Sequence, residues 1–153
     1  ASRMIKCAMT NGVGWIDTAH AYGTSEARIG EVLQDGWTGR SRVVTKMSPM
    51  SDRPSDLSAD TAREIAENSL LRSCINLRQS HLDTVLLHRC QHMTSWDGAV
   101  WDVLKKWHDE GRVETIGVSI QTPEELEIAL ADPNVGHIQL PCNIVDWRCS
   151  RAC

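Results

Sequence analysis

The feature that most constrains this chain is a regular alternation of short β-rich runs with longer helical ones. Strand candidates fall at residues 14–17, 42–46, 84–88, 115–119 and 137–140. Most are short, apolar and rich in branched residues, as strands covered on both faces are. Between them the apolar period changes to that of a helix. Ser25 is placed to cap a helix with Ile29, Val32 and Leu33 on one face, stopping near Gly36. Ser58 heads a long one with Ala62, Ile65, Ala66, Leu70, Cys74 and Leu77 at helical spacing. A third carries Ala99, Val100, Val103, Leu104 and Trp107 and ends at Gly111. The fourth starts with Thr122, then Pro123, then Glu125 three residues after the cap. Residues 3–10 read as the end of a further helix, stopped by Asn11-Gly12. Repeated strand–helix units imply a parallel α/β sheet with right-handed crossovers. A (β/α)8 barrel and an open doubly wound sheet both satisfy this pattern.

Bulk properties set the class. The 153 residues suffice for one domain, with 41% hydrophobic and 24% charged residues, the balance of a soluble globular protein. A net charge of -4 argues against nucleic acid as a partner, since phosphate binding wants a basic face. No apolar run approaches the roughly 20 residues needed to span a bilayer. Six scattered cysteines without a C-x-x-C pair read as free thiols of a reducing, cytoplasmic setting. His88 and His92 flank Cys90, but no third ligand at zinc-like spacing is evident, so no metal is expected.

The strands end in chemically capable residues. Asp17 closes the first, Lys46 the second, His88 the third and Ser119 the fourth, while Gln139 lies inside the fifth. In a parallel α/β fold the C-terminal strand ends share one ligand-binding rim. Tyr22, the single tyrosine of the chain, sits five residues past Asp17 and should face the same rim. Each residue alone has a structural explanation: a turn aspartate, a surface lysine, a satisfied histidine. An Asp, a Lys and a His at three strand ends, with a Tyr beside them, is a constellation. Hydride transfer to a carbonyl leaves an alkoxide that needs a proton. A free phenol titrates near about 10, and a neighbouring ammonium lowers that value. Lys46 would play that part, Asp17 would hold Lys46, and His88 would orient the carbonyl oxygen.

These residues resemble the aldo-keto reductase family. The run Gly14-Trp15-Ile16-Asp17-Thr18-Ala19-His20-Ala21-Tyr22-Gly23-Thr24-Ser25-Glu26 is similar to its first signature, with Asp and Tyr five apart and Gly-x-Ser-Glu after them. Val43-Val44-Thr45-Lys46 resembles the strand carrying the family lysine, and Asp83 to Arg89 the strand carrying its histidine. Gly111-Arg112-Val113 with Ile116-Gly117-Val118-Ser119 is similar to the segment bringing a cofactor-contacting serine. Ile138-Gln139-Leu140-Pro141-Cys142-Asn143 resembles the strand whose glutamine meets the nicotinamide carboxamide.

The resemblance implies a TIM barrel of the (β/α)8 type, here a partial barrel of about five parallel strands with helices, forming one domain over residues 1–153. It implies NADPH/NADP as cofactor and a small-molecule aldehyde or ketone as substrate. Asp17, Tyr22, Lys46 and His88 then form the catalytic set, and Asp17, Ser119 and Gln139 meet the nicotinamide. Many members carry Asn directly after that serine, where this chain has Ile120. A complete barrel runs about 250 residues, and the family's first strand and everything after its sixth have no counterpart here. Open sheet edges lead us to expect self-association, or a chain that is a segment of a longer enzyme. Two other readings are a non-catalytic cofactor-binding barrel protein and an inactive truncated remnant.

Overall fold

The computed structural model describes residues 1–50 and 56–142. Residues 51–55, and the terminal stretch 143–153 with Asn143, Cys149 and Cys153, lie outside the described residues. The elements follow one another as α1 (Ser2–Thr10), β1 (Trp15–Asp17), α2 (Ser25–Val32), β2 (Arg42–Lys46), α3 (Ala59–Leu77), β3 (Leu82–Leu87), α4 (Ala99–Asp109), β4 (Val113–Ser119), α5 (Pro123–Ala131) and β5 (His137–Gln139). Two short 3₁₀ turns, Cys90–Met93 and Ser95–Gly98, fill the β3–α4 connection.

All neighbouring strands pair in parallel, in the order β1-β2-β3-β4-β5. A doubly wound sheet reverses its strand order at a switch point; this one never does. Nor is it flat. Four strand spacings would separate β1 from β5 by about 19 Å in a flat sheet. Instead the Gln139 side chain of β5 donates to Asp17 of β1 at 3.0 Å. The rings of Trp15 and His137, also on β1 and β5, lie 6.1 Å apart. The sheet therefore curls into half of a (β/α)8 barrel, with its helices outside.

The convex face makes the main core. Val43, Val85, Leu87, Ile116 and Val118 meet Ile29 and Val32 of α2, Leu70 and Leu77 of α3, Leu104 and Trp107 of α4 and Leu126 of α5. Burying a side chain of this size stabilises by about 1.5–3 kcal/mol. Trp107 is fully buried and its indole N–H donates to Glu67 at 2.6 Å. The Arg112 guanidinium covers the same ring at 3.3 Å from its centre. Glycine is required where backbones touch. A Cβ on Gly30 would fall 2.1 Å from the Asn76 carbonyl oxygen, where α2 crosses α3. One on Gly117 would fall 1.8 Å from the His137 carbonyl oxygen, where β4 receives β5.

Local signals acted largely as the sequence predicts. Ser58 accepts from the Thr61 N–H, and Thr122 accepts from the Glu125 N–H at 3.3 Å. The Glu125 carboxylate reaches back to the Gln121 N–H at 2.5 Å, one residue before the cap. Ser25 does not cap α2. It is the first helical residue, Thr24 precedes it without a side-chain cap bond, and the Ser25 hydroxyl instead accepts from Thr18 at 3.0 Å. Strand limits also move. β3 begins at Leu82 and ends at Leu87, so His88 stands one residue beyond it. β5 ends at Gln139, which is its last residue rather than an interior one.

Candidate functional site

Parallel pairing puts the C-terminal ends of all five strands on one rim. Asp17, Lys46, Ser119 and Gln139 are the last residues of β1, β2, β4 and β5, and His88 follows β3 directly. Tyr22 lies in the β1–α2 loop above the same rim. The expected residues thus arrive from five strands and one loop.

Lys46 is the centre of the arrangement. Its side chain is only 3% exposed. The ammonium donates to Asp17 Oδ1 at 2.6 Å and to the Thr18 carbonyl at 3.0 Å. Gln139 Nε2 donates to the same Asp17 oxygen. A buried ammonium needs such partners, because an unpaired buried charge is costly. From there Lys46 Nζ lies 5.3 Å from the centre of the Tyr22 ring, within reach of a cation–π attraction. The His88 ring stands edge-on to Tyr22, 6.5 Å between centres and 86° between planes. Tyr22 itself is half exposed, open to an incoming molecule.

Burial is the main influence on His88 and holds its imidazole below the usual range; the Lys46 ammonium pushes the same way. A weak contact with the Met47 backbone and the charge of Asp17 oppose this. Nδ1 of the ring has no partner at good hydrogen-bonding geometry among the described residues. Burial and the Lys46 charge both favour the neutral form of the His88 imidazole, which donates from one nitrogen.

Ser119 and Gln139 stand opposite each other in the β4–β5 register. Gln139 spends an N–H on Asp17, which leaves its carbonyl oxygen to accept. With the Ser119 hydroxyl this makes a donor–acceptor pair of the kind a primary carboxamide needs. Ile120, by contrast, is fully buried in the convex core and offers no contact at the rim. Beside His88 and Ser119 a cleft of about 350 Å³ opens between Arg89, Gln121 and Glu125. A second cavity of similar volume, near Gly14, Arg40 and His81, sits at the opposite ends of the strands and touches none of the rim residues.

Sequence reasoning missed the support behind this rim. Thr18 is fully buried and its carbonyl is a ligand of the Lys46 ammonium. Glu26 is 1% exposed and accepts from Thr45 at 2.7 Å and from Asn76 at 3.1 Å. A signal existed for Glu26: it lies three residues before Ile29, on the buried face of α2.

The chain belongs to the aldo/keto reductase family, whose family model matches residues 1–153. It is 27% identical to the 6-dehydroglucose reductase of Novosphingobium aromaticivorans, over 93% of this chain and 51% of that protein. It is 31% identical to the oxidoreductase YrpG of Bacillus subtilis (strain 168), over 78% of this chain and 40% of that one. A solved structure from Pseudomonas aeruginosa assigned to the aldo-keto reductases superposes with a TM-score of 0.82 and 25% identity, covering 99% of this chain and 58% of that one. The chain thus spans about half the length of the relatives it matches. The relatives it matches include proteins named as reductases, among them a glyoxal reductase of Bacillus subtilis (strain 168). Among the described residues no helix is long and apolar enough to cross a membrane.

Proposed function

We propose that residues 1–153 form part of an NADP-dependent, cytoplasmic oxidoreductase domain that reduces an aldehyde or ketone to an alcohol, with Tyr22 as proton donor. One observation carries this reading: the ammonium of Lys46, fixed by Asp17, approaches the ring of Tyr22 while His88 closes on that ring from the side. Ser119 and Gln139 would hold the nicotinamide carboxamide, with Asp17 beside them. When bound, the reduced nicotinamide supplies the hydride. The chain's own residues handle the oxygen. His88, neutral and donating, orients the carbonyl. Tyr22 gives its hydroxyl proton to that oxygen as negative charge develops, and the Lys46 ammonium stabilises the phenolate left behind. Asp17 keeps the ammonium in place.

The test is to mix the protein with NADPH and a panel of aldehydes and follow loss of reduced-nicotinamide absorbance. We expect turnover that drops by on the order of 10²–10⁴ in Tyr22→Phe, with an unchanged thermal midpoint because Tyr22 is half exposed. Tight cofactor binding without turnover would instead favour a non-catalytic barrel protein, and absence of binding an inactive remnant. The edge strands β1 and β5 each lack a second neighbour among the described residues, and we propose that the 153-residue chain self-associates through them. A monodisperse monomer with a sharp cooperative melt would refute that part.

A further inference from the structure

Glu26 is a buried carboxylate away from the reacting rim. It lies in the first turn of α2, at the end of the loop that carries Tyr22. Its two oxygens accept from the hydroxyl of Thr45 and the amide of Asn76. The His20 ring nitrogen faces it at 3.9 Å. Thr45 is the residue directly before Lys46, and Asn76 belongs to the last turn of α3. One carboxylate therefore joins the Tyr22 loop, the lysine strand and the helix behind both. Three further bonds close the same segment. Thr18 donates to Ser25, next to Glu26, while the Thr18 carbonyl holds the Lys46 ammonium. The His20 N–H bonds the Lys46 carbonyl at 3.0 Å. Burying a carboxylate is expensive unless its oxygens are satisfied, so the segment tolerates few other arrangements.

We infer that Glu26 is a positioning residue, which sets the approach of Lys46 to Tyr22 from behind the sheet through Thr45 and the first turn of α2. The consequence for catalysis rests on the proposed reductase reading; the geometric consequence does not. Because Tyr22 is the only tyrosine in the chain, the ultraviolet titration of its phenol reports the Lys46–Tyr22 approach without any cofactor.

The experiment compares the 153-residue chain with Glu26→Gln, Glu26→Ala and Thr45→Val, by phenol titration, circular dichroism and aldehyde turnover with NADPH. Glutamine keeps an acceptor for Thr45, so Glu26→Gln should retain the wild-type titration midpoint and rate. Glu26→Ala and Thr45→Val should move the phenol midpoint away from that of the wild type, as the ammonium drifts from its place 5.3 Å from the ring centre. They should also lower kcat about tenfold while leaving KM near its wild-type value. Thr45→Val removes one hydrogen bond and leaves the carboxylate, which keeps the test available if Glu26→Ala does not fold. Folded variants that titrate like wild type would overturn the inference. So would a Glu26→Gln shift as large as that of Glu26→Ala, since charge rather than position would then be at work. Turnover that needs Tyr22 but ignores Glu26 and Thr45 would refute the positioning role and leave the reductase reading intact. A midpoint that responds in a protein without turnover would do the reverse.

Discussion

The two faces of the curled sheet are built from alternate residues of the same strands, yet they are composed differently. The convex face is mostly hydrocarbon, Val43, Val85, Leu87, Ile116 and Val118 against helix leucines and Trp107, with the bonds of Glu26 to Thr45 and Asn76 as its buried polar exception. On the concave side Val44 and Leu86 are buried outside that core, and the alternation of strand side chains puts them in line with Lys46 and His88. Around them stand Asp17, Ser119 and Gln139, with Trp15 half exposed at the edge. Barrel interiors are usually filled by bulky branched side chains. The convex face holds the fold by area, which many apolar residues could supply. The concave face holds its shape by a few directed bonds, which only these residues make. Stability and chemistry are thus carried largely by opposite sides of one sheet, with Glu26 and Thr45 as the link between them.

If that division is right, changes on the two faces should have separable effects. The largest concerns chemistry. Lys46→Met should cut turnover by on the order of 10²–10³, yet leave the denaturation midpoint almost unmoved. Removing one partner of an ion pair is costly when the other is left buried, but the Asp17 side chain is 45% exposed and water can take over its solvation. A Lys46→Met protein that loses stability in step with activity would break the division. Next comes the convex face. Trp107→Ala should cost about 3–5 kcal/mol in urea denaturation, without altering the phenol titration of the fraction that remains folded. A Tyr22 titration displaced by Trp107→Ala would mean that the faces are mechanically coupled.

The smallest effect sharpens the comparison at the boundary, where the β3–α4 connection leaves the rim. His92 is 1% exposed and packs on Trp96 at 5.3 Å between ring centres. Burial first, then the charges of Arg89 and His88, push its imidazole down from 6.5 to about 4. A histidine depressed in the folded state binds its proton more readily when unfolded. Its contribution is therefore complete above pH 6.5 and is lost as pH falls from there toward 4. His88, also lowered, adds to the same trend. We expect stability to fall by roughly 1–2 kcal/mol over that window, after allowance for screening at the rim. His92→Gln should flatten the slope. An equally steep slope in the variant would assign the acid sensitivity elsewhere.

Much of this was legible one segment at a time. The helix of Ser58 and that of Thr122-Pro123 begin where their cap residues stand, because a cap is decided by atoms within four positions. The residues at the strand ends were visible because a polar side chain closing an apolar run has few structural reasons to be there. Ser25 misled for the same local reason. Its hydroxyl satisfies the rules for a cap, but a better partner, Thr18, arrives from seven residues away through the turn of the loop. Glu26 was half visible, as a charge on an apolar stripe, while its partners Thr45 and Asn76 lie 19 and 50 positions off.

Periodicity, caps and strand-end chemistry thus determined the elements, their parallel sense and the set of rim residues, since each depends on near neighbours along the chain. They could not choose between a curled and an open sheet, because both use the same strand–helix unit and the same crossover hand. Only the tertiary structure decided that. Its uninterrupted strand order and its curl bring Gln139 to Asp17 across 122 positions, a contact set by the accumulated twist and tilt of five strands rather than by any one of them.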